Sequence, residues 1–298
     1  MKLSVDSINS VLLVIAAIPA WLFSFELLIL AYAFLGPLHY LTEISWLHDR
    51  RYFTLRRYDP HILTLVSLVV LFLGVAIVPG SAELVWILLL LAFCTAFVNV
   101  WWKRGLILGL GILCLLPFLG STTNYALAIL IPTVCHVFIF TALFMLFGAM
   151  KSHSYLGYVN VIIFFLLSIL LLFSPSASVH LPAYMTANYT FFDGIGTAIA
   201  AIFGSDPTST ILHIATFLAF TYTYHYLNWF SKTSIIEWHK ISRYRAIAIG
   251  VLYLSAVVLY VIDYQLGFLV LLSLSFLHVV LEFPLNFKSI QGIYRALH

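Results

Sequence analysis

Long runs of apolar residues, separated by short polar connections, dominate the chain. A helix that crosses a bilayer needs about 20 such residues. The pattern therefore predicts a single all-α domain over residues 1–298, a polytopic membrane protein with about nine transmembrane helices. The predicted helices lie near 9–35, 61–79, 83–101, 105–120, 125–149, 156–174, 209–231, 244–262 and 265–285.

The first run is too long for one straight span. A continuous helix from Ile8 to Leu47 would extend roughly 60 Å, against a hydrocarbon core of about 30 Å. Proline lacks the backbone N–H and clashes with the preceding turn of a helix. We therefore expect the first helix to be broken at Gly36-Pro37.

Basic residues predict the orientation. Lysine and arginine occur in every second connection, and the connections 80–82, 121–124, 175–208 and 263–264 contain neither. Because cytoplasmic loops are enriched in these residues, the pattern predicts an N-terminus outside and a C-terminus in the cytoplasm. A hairpin within the first run would move the N-terminus alone. The long outer connection 175–208 contains YTFFDGIGTAIAAIF, which we expect to form an interfacial amphipathic helix.

The composition agrees with a membrane location, and we expect the bacterial inner membrane. Hydrophobic residues make up 63% of the chain and charged residues 8%, far from the values of soluble domains. The net charge of +3 is modest, so it does not indicate a nucleic-acid partner. Cys94, Cys114 and Cys135 lie in apolar runs without C-x-x-C spacing, which argues against a zinc ribbon. The oligomeric state is not determined by these patterns.

Histidines within the apolar runs are the first candidate chemistry. His39, His225 and His278 precede the next basic residue by 11, 7 and 10 residues, which places them in one layer roughly 10–17 Å from the cytoplasmic edge. His136 precedes Lys151 by 15 residues and lies deeper. Ionisable residues at such depths face the bundle interior and mark function. Imidazole is a common metal ligand, so we predict a metal site from these four histidines. A hydrogen bond between helices is the alternative for any single one.

Two acids accompany these histidines. Glu43 follows His39 by four residues and Glu282 follows His278 by four, so each shares a helix face with its histidine. A carboxylate beside a ligand histidine orients the ring or joins the coordination. Glu43 and Glu282 are therefore the candidate catalytic carboxylates. Pairing with basic residues at the interface is the alternative.

Aromatic residues surround His225 in the stretch FLAFTYTYHYLNWF. Side chains of this density can line a slot for a flat apolar substrate, such as a conjugated or polyprenyl molecule. Anchoring at the membrane interface is the alternative role for tyrosine and tryptophan. The candidate substrate-lining residues are Tyr222, Tyr224, Tyr226 and Trp229.

The order of these motifs resembles that of the bacterial Brp/Blh-type β-carotene 15,15′-dioxygenases, membrane iron enzymes that cleave carotene to retinal. The resemblance covers short segments spread over most of the chain. It implies an Fe(II) site with an open position beside an apolar slot. The matching residues are Gly36, Pro37, His39 and Glu43, then FTYTYH at His225, then LHVVLEFPLNFK with His278, Glu282 and Phe283.

The chain also departs from that family. Leu38 is inserted before the first histidine, and Trp229 stands where the family has a second histidine. No histidine falls between His61 and His136. The ligand set that the resemblance implies is therefore either incomplete in this chain or completed differently, by His136.

The sequence favours an integral-membrane, metal-dependent oxygenase acting on an apolar conjugated, isoprenoid or lipid substrate, with Fe(II) as the expected metal. Zinc, copper and haem are alternative cofactors. Two other functions compete: a haem-binding or electron-transfer subunit, and a proton-coupled transporter with the acids and histidines as a relay. The absence of HExxH and HxxxH motifs argues against a zinc hydrolase and against di-iron chemistry.

Overall fold

The computed structural model describes residues 4–76, 84–118, 122–174, 197, 199–201 and 204–297. Regular structure in these residues is helical throughout. The segment expected to form an interfacial helix falls largely outside them. The main helices are α1 (Val5–Leu22), α2 (Ser24–Leu30), α3 (Gly36–Asp49), α4 (Asp59–Ala76), α5 (Val85–Phe97), α6 (Trp101–Leu115), α7 (Thr122–Val134), α8 (Thr141–Ser152), α9 (Tyr155–Phe173), α10 (Pro207–Ser231), α11 (Thr233–Ile236), α12 (Arg243–Ile262) and α13 (Tyr264–Leu297).

Several of these helices have the length and apolar character of membrane spans. Two shorter apolar helices, Asp59–Val70 and Val85–Phe97, accompany them. The prediction of an all-α integral membrane protein is confirmed, whereas the count of nine spans stays a prediction. Among the described residues, six helices are long enough to cross a membrane: Val5–Leu22, Ser24–Asp49, Leu130–Ser152, Tyr155–Phe173, Arg243–Ile262 and Leu266–Leu297.

The chain divides into two compact units. The first unit comprises Met1–His39 and Thr133–Ser242, and the second comprises Tyr40–Pro132 and Arg243–His298. In the first unit, α10 packs against α1, α2 and α9. In the second, α13 packs against α4, α5 and α12.

The first apolar run forms a hairpin in the first unit. Near the start of α1, Asn9 accepts a hydrogen bond from Ser231 at the end of α10. The ring of His39 lies 5.4 Å from that of Trp229, close to the same end of α10. The chain therefore leaves this end and returns to it, reversing at Phe23, whose φ of −139° and ψ of 53° interrupt the helix.

The predicted break at Gly36-Pro37 is consequently wrong. A π-helical turn, Ala31–Leu35, directly precedes α3, and α3 begins at Gly36 and continues to Asp49. A wider π turn changes the hydrogen-bond pattern just where Pro37 cannot donate. The helix therefore continues through Pro37 and does not end there.

The hairpin brings the start of α1 to the end of the first unit that carries basic residues. Ser154 Oγ donates to Asp6 Oδ2 at 2.5 Å, and the buried side chain of Asn160 donates to the Asp6 carbonyl at 2.8 Å. Lys151 precedes Ser154 closely, and Lys232 follows α10. The start of α1 thus lies at the basic end of this unit, as a hairpin within the first run would place it. Which end faces the cytoplasm stays a prediction.

A close contact joins α8 and α9 in the first unit. His153 ends α8 in the left-handed region with φ 51°, and Ser154 caps α9 by accepting from the Gly157 N–H at 3.1 Å. A Cβ atom at Gly157 would lie 2.7 Å from the Cβ of Ala149. Glycine at this position therefore allows the two helices to approach.

A buried ion pair fixes the basic end of the second unit. Arg104 binds Asp59 in a bidentate manner, with N···O distances of 2.5 and 3.0 Å. Arg104 also donates to the Val98 carbonyl at 2.6 Å, and the Arg56 N–H donates to Asp59 at 3.0 Å. The pair ties the start of α4 to the first turn of α6.

The connection after α3 has an unusual backbone. Arg51, Tyr52 and Phe53 are consecutive residues in the left-handed region, with φ values of 50°, 52° and 56°. Left-handed backbone costs about 1–2 kcal/mol per residue that is not glycine. Lys288 donates to the carbonyl of Phe53. Tertiary contacts such as this one therefore stabilise the turn and offset the strain of its left-handed backbone.

We expect Arg51→Gly to stabilise the protein. Arg51 is exposed, and glycine adopts its φ without strain, so the free energy of unfolding should rise by about 1 kcal/mol. Thermal unfolding in detergent measures the change. Arg57 is also exposed but does not have a positive φ, so Arg57→Gly is the matched control and should give no gain. Equal effects at the two positions would contradict the strain argument.

Candidate metal centre

Two of the predicted ligands lie in helices that are modified by proline and π-helical turns. His39 follows Pro37 and the π turn Ala31–Leu35. His136 lies inside the π turn Cys135–Phe140, which follows Pro132. Such turns shift the direction of side chains and are frequent at functional sites. They explain how side chains from separate helices can converge.

Three histidines converge in the first unit. The ring of His225, on α10, lies 4.6 Å from the ring of His39 and 4.6 Å from the ring of His136. One nitrogen from each of the three lies within 4.8 Å of the others. All three side chains are buried. Each of these histidines comes from a different helical segment, as a binding site in a helical bundle requires.

The distance between two of the nitrogens is suited to a shared ion. His225 Nε2 and His39 Nε2 are 2.9 Å apart. Two imidazoles on one ion, with bonds of about 2.0–2.1 Å, place their nitrogens about 2.9–3.4 Å apart. An N–H···N hydrogen bond between the two rings satisfies the same distance, with one ring as donor. The donor set, which is entirely imidazole, suits iron, zinc, copper or nickel.

Thr141 fixes the orientation of His225. Its hydroxyl lies 2.8 Å from His225 Nδ1, and its side chain is buried. With the Nδ1 proton donated to this hydroxyl, Nε2 keeps its lone pair for a ligand. No sequence pattern points to Thr141, because its contact depends on how α8 approaches α10.

The fourth predicted histidine and both acids lie in the second unit. His278 is buried and stacks on the buried ring of Tyr40, with centroids 4.2 Å apart and planes at 23°. Glu43 and Glu282 are also buried, and their carboxyl groups are hydrogen-bonded to each other. A hydrogen bond between two carboxyl groups requires a proton on one of them. The two carboxyl groups are therefore close enough to share a proton.

His39, His136 and His225 are buried in the first unit and could together hold a metal ion, and His278 is buried in the second unit. The prediction of a buried histidine cluster is confirmed. The identity of the metal and the role of each histidine as a ligand stay predictions.

The aromatic residues of α10 divide between two faces. The ring of Tyr226 lies 5.1 Å from that of His39, and Trp229 is at 5.4 Å. Tyr222 lies 5.7 Å from Tyr226 on the same face. Tyr224 lies on the opposite face, where its hydroxyl donates to Met145 Sδ. Tyr224 therefore belongs to the core of the unit, and its role in lining a substrate slot stays a prediction.

His213 illustrates the alternative role for a histidine in a membrane helix. Its Nδ1 lies 2.6 Å from the carbonyl of Leu172, which links α10 to α9 by a hydrogen bond. The sequence placed it away from the predicted layer, and the part of the chain described here includes no metal-ligand group around it.

Comparison of the chain with models of protein families, with curated proteins and with solved structures finds no match. The basis for a functional assignment is therefore the chemistry of this centre.

Proposed function

We propose that the protein is an integral-membrane, metal-dependent oxygenase that acts on an apolar conjugated or isoprenoid substrate, with Fe(II) as its metal. The observation that supports it most strongly is the buried convergence of His39, His136 and His225 among aromatic side chains. Buried imidazoles are costly in a membrane helix unless they serve a partner or a site. The motif order that resembles the Brp/Blh-type dioxygenases is consistent with this function.

The ligands in this proposal are His39, His136 and His225, and the prediction that His278 is a further ligand is tested separately. Iron held by imidazoles and retaining an open position would activate O₂ for reaction with an alkene. The protein supplies fixed nitrogen donors. Among these, His225 is the most constrained, because Thr141 holds its second nitrogen.

Tyr226 and Trp229 would form the walls of the substrate site. Both rings face His39 within 5.4 Å. Flat aromatic side chains bind a flat polyene through a large apolar contact area and exclude water from the reacting atoms. No ionic group is needed to bind such a substrate, which agrees with the apolar surroundings.

Glu43 and Glu282 would influence the histidines through their position. Each follows a predicted ligand histidine by one helical turn, which is near enough for a carboxyl group to orient an imidazole. Their mutual hydrogen bond holds the two carboxyl groups together. We propose that they orient the ligands and do not bind the metal themselves.

The haem alternative is not favoured by the geometry. Two axial imidazoles on one iron, with bonds of about 2.0 Å in line, need their nitrogens about 4 Å apart with the macrocycle between them. The separation of 2.9 Å between His39 and His225 is too short for that arrangement. No comparable observation favours a proton-coupled transporter.

We also propose that the protein resides in the bacterial inner membrane with the basic end of each unit in the cytoplasm. In the first unit, the start of α1 then lies inside together with Lys151 and Lys232. The enrichment of basic residues in cytoplasmic loops supports this orientation. Labelling of a cysteine introduced at Ser4 with a membrane-impermeant reagent, in intact cells and in lysed cells, tests it.

Metal analysis and a pigment test address the proposed function separately. The purified protein should contain about one iron per chain. Expression in a carotene-accumulating host should bleach the colour and yield retinal, whereas the His225→Ala variant should leave the colour. Absence of any bound transition metal would reject the proposal. Unchanged pigment with metal present would reject carotene as the substrate and leave the centre intact.

A further inference from the structure

A row of buried polar residues follows one face of α13. His278, Glu282 and Asn286 are spaced by four residues, so successive members are neighbours on the helix, with Cβ atoms about 5–6 Å apart. Their exposed fractions are 1%, 2% and 0%. Three polar side chains in a row, all removed from lipid, indicate an interior polar path.

Asn286 is the member that the fold leaves unsatisfied. It is completely buried, and neither its amide nitrogen nor its amide oxygen has a hydrogen-bond partner. A buried amide that is left without partners is strongly unfavourable, and nearly all such groups in proteins bind a protein atom or a water. Ordered water is the usual partner where a polar site is roomy enough.

Polar groups continue from Asn286 to the basic end of the second unit. Ser289, three residues on, is buried and donates to the Leu285 carbonyl at 3.0 Å. Lys288 donates to the carbonyl of Phe53 in the left-handed turn after α3. Asn286 thus lies between the carboxyl pair and a basic, partly exposed surface.

We propose that Asn286 binds internal water that links the Glu43–Glu282 carboxyl pair with the basic end of the second unit and carries protons between them. In each transfer a water accepts one proton on one side and releases one on the other, so no net charge remains on the path. The proposal goes beyond the oxygenase function and does not require a bound metal.

Infrared spectroscopy of metal-free protein tests this path. The C=O band of a protonated carboxyl group shifts when the proton is exchanged for deuterium, and Glu43→Gln and Glu282→Gln identify the band. After transfer into D₂O, Asn286→Leu should exchange more slowly by on the order of tenfold, because water-mediated hydrogen bonds along the path are lost. Asn286→Ser, which leaves room and polarity for water, should exchange at nearly the wild-type rate.

Thr223→Val is the matched control, because Thr223 is a buried hydroxyl on α10 of the first unit and not a member of the row on α13. It should leave the exchange rate unchanged. Wild-type exchange in folded Asn286→Leu, or equal slowing in Thr223→Val, would overturn the proposal. The proposal would also be overturned if Glu43→Gln and Glu282→Gln removed no carboxylic acid band from the spectrum.

A measurement on the unsubstituted protein covers the case in which the variants do not fold. Radiolysis of bound water by X-rays labels side chains close to it. Phe283, beside Pro284, should be labelled although it is buried, whereas Phe164 in the apolar core of the first unit should not. Equal labelling of the two, or none at Phe283, would reject water at Asn286.

Discussion

Replacing His225 with alanine should weaken metal binding by more than about 100-fold, because the loss of a group that only orients a ligand already costs about 10–100-fold. His225 is central to the cluster, with its ring 4.6 Å from those of both His39 and His136. The measurement is metal content after dialysis against chelators of increasing strength. Thr141→Val, which removes the hydroxyl 2.8 Å from Nδ1, should give the intermediate loss of about 10–100-fold.

His213→Ala is the matched control for this experiment. His213 lies on the same helix and bonds to the Leu172 carbonyl, so its replacement should leave the metal content unchanged. If His213→Ala lost as much metal as His225→Ala, the loss would reflect general destabilisation. Full metal affinity in His225→Ala would reject the centre itself.

His278→Ala decides between three and four ligands. A loss of affinity similar to that in His39→Ala would establish His278 as a ligand. An unchanged affinity would restrict the ligand set to His39, His136 and His225, and would assign His278 to its stacking contact with Tyr40.

The depth of the histidines could be predicted from the sequence because the rise of a helix is constant. Counting residues to the next basic cluster was enough to group His39 and His225 without knowledge of any contact. The set of candidate substrate-lining residues could also have been divided by counting residues, because helical spacing assigns each residue to a face of α10. Tyr222, Tyr226 and Trp229 follow helical spacing, whereas Tyr224 falls on the other face.

The position of the hairpin turn in the first run could not be predicted by the same rules. The turn at Phe23 lies in WLFSFE, which contains neither glycine nor proline. Gly36-Pro37 offered the stronger local signal for a break. Packing of both arms against α10 overrides that local preference, and a π turn accommodates the proline.

Arg104 shows a second limit of sequence reasoning. In the sequence, Arg104 is a basic residue in a short connection, and such a residue indicates only on which side of the membrane the connection lies. Its partner Asp59 is 45 residues away in the chain, so no local pattern reveals that the arginine is buried. The contact arises only once α4 and α6 are placed in the same unit.

Removing the charge of Asp59 should be among the most destabilising single changes in this chain. The side chains of Arg104 and Asp59 are 4% and 0% exposed. Asp59→Asn leaves the Arg104 guanidinium buried without its counter-charge, and breaking such a pair typically costs about 3–5 kcal/mol. Thermal unfolding followed by circular dichroism in detergent measures this loss.

An exposed ion pair of the same unit provides the comparison. Arg245 binds Asp49 at 2.7 Å with side chains 35% and 42% exposed. Water screens such a pair, so Asp49→Asn should cost only about 0–1 kcal/mol. Similar losses in the two variants would show that burial does not determine the effect.

The double replacement Asp59→Leu with Arg104→Met separates charge from packing. Replacing both partners of a buried ion pair with apolar residues of similar volume is often neutral or stabilising. The double variant should therefore be more stable than Asp59→Asn, despite carrying one more substitution. If the double variant is as unstable as Asp59→Asn, the remaining contacts of Arg104 to the Val98 carbonyl and to Trp101 matter more than the charge pair.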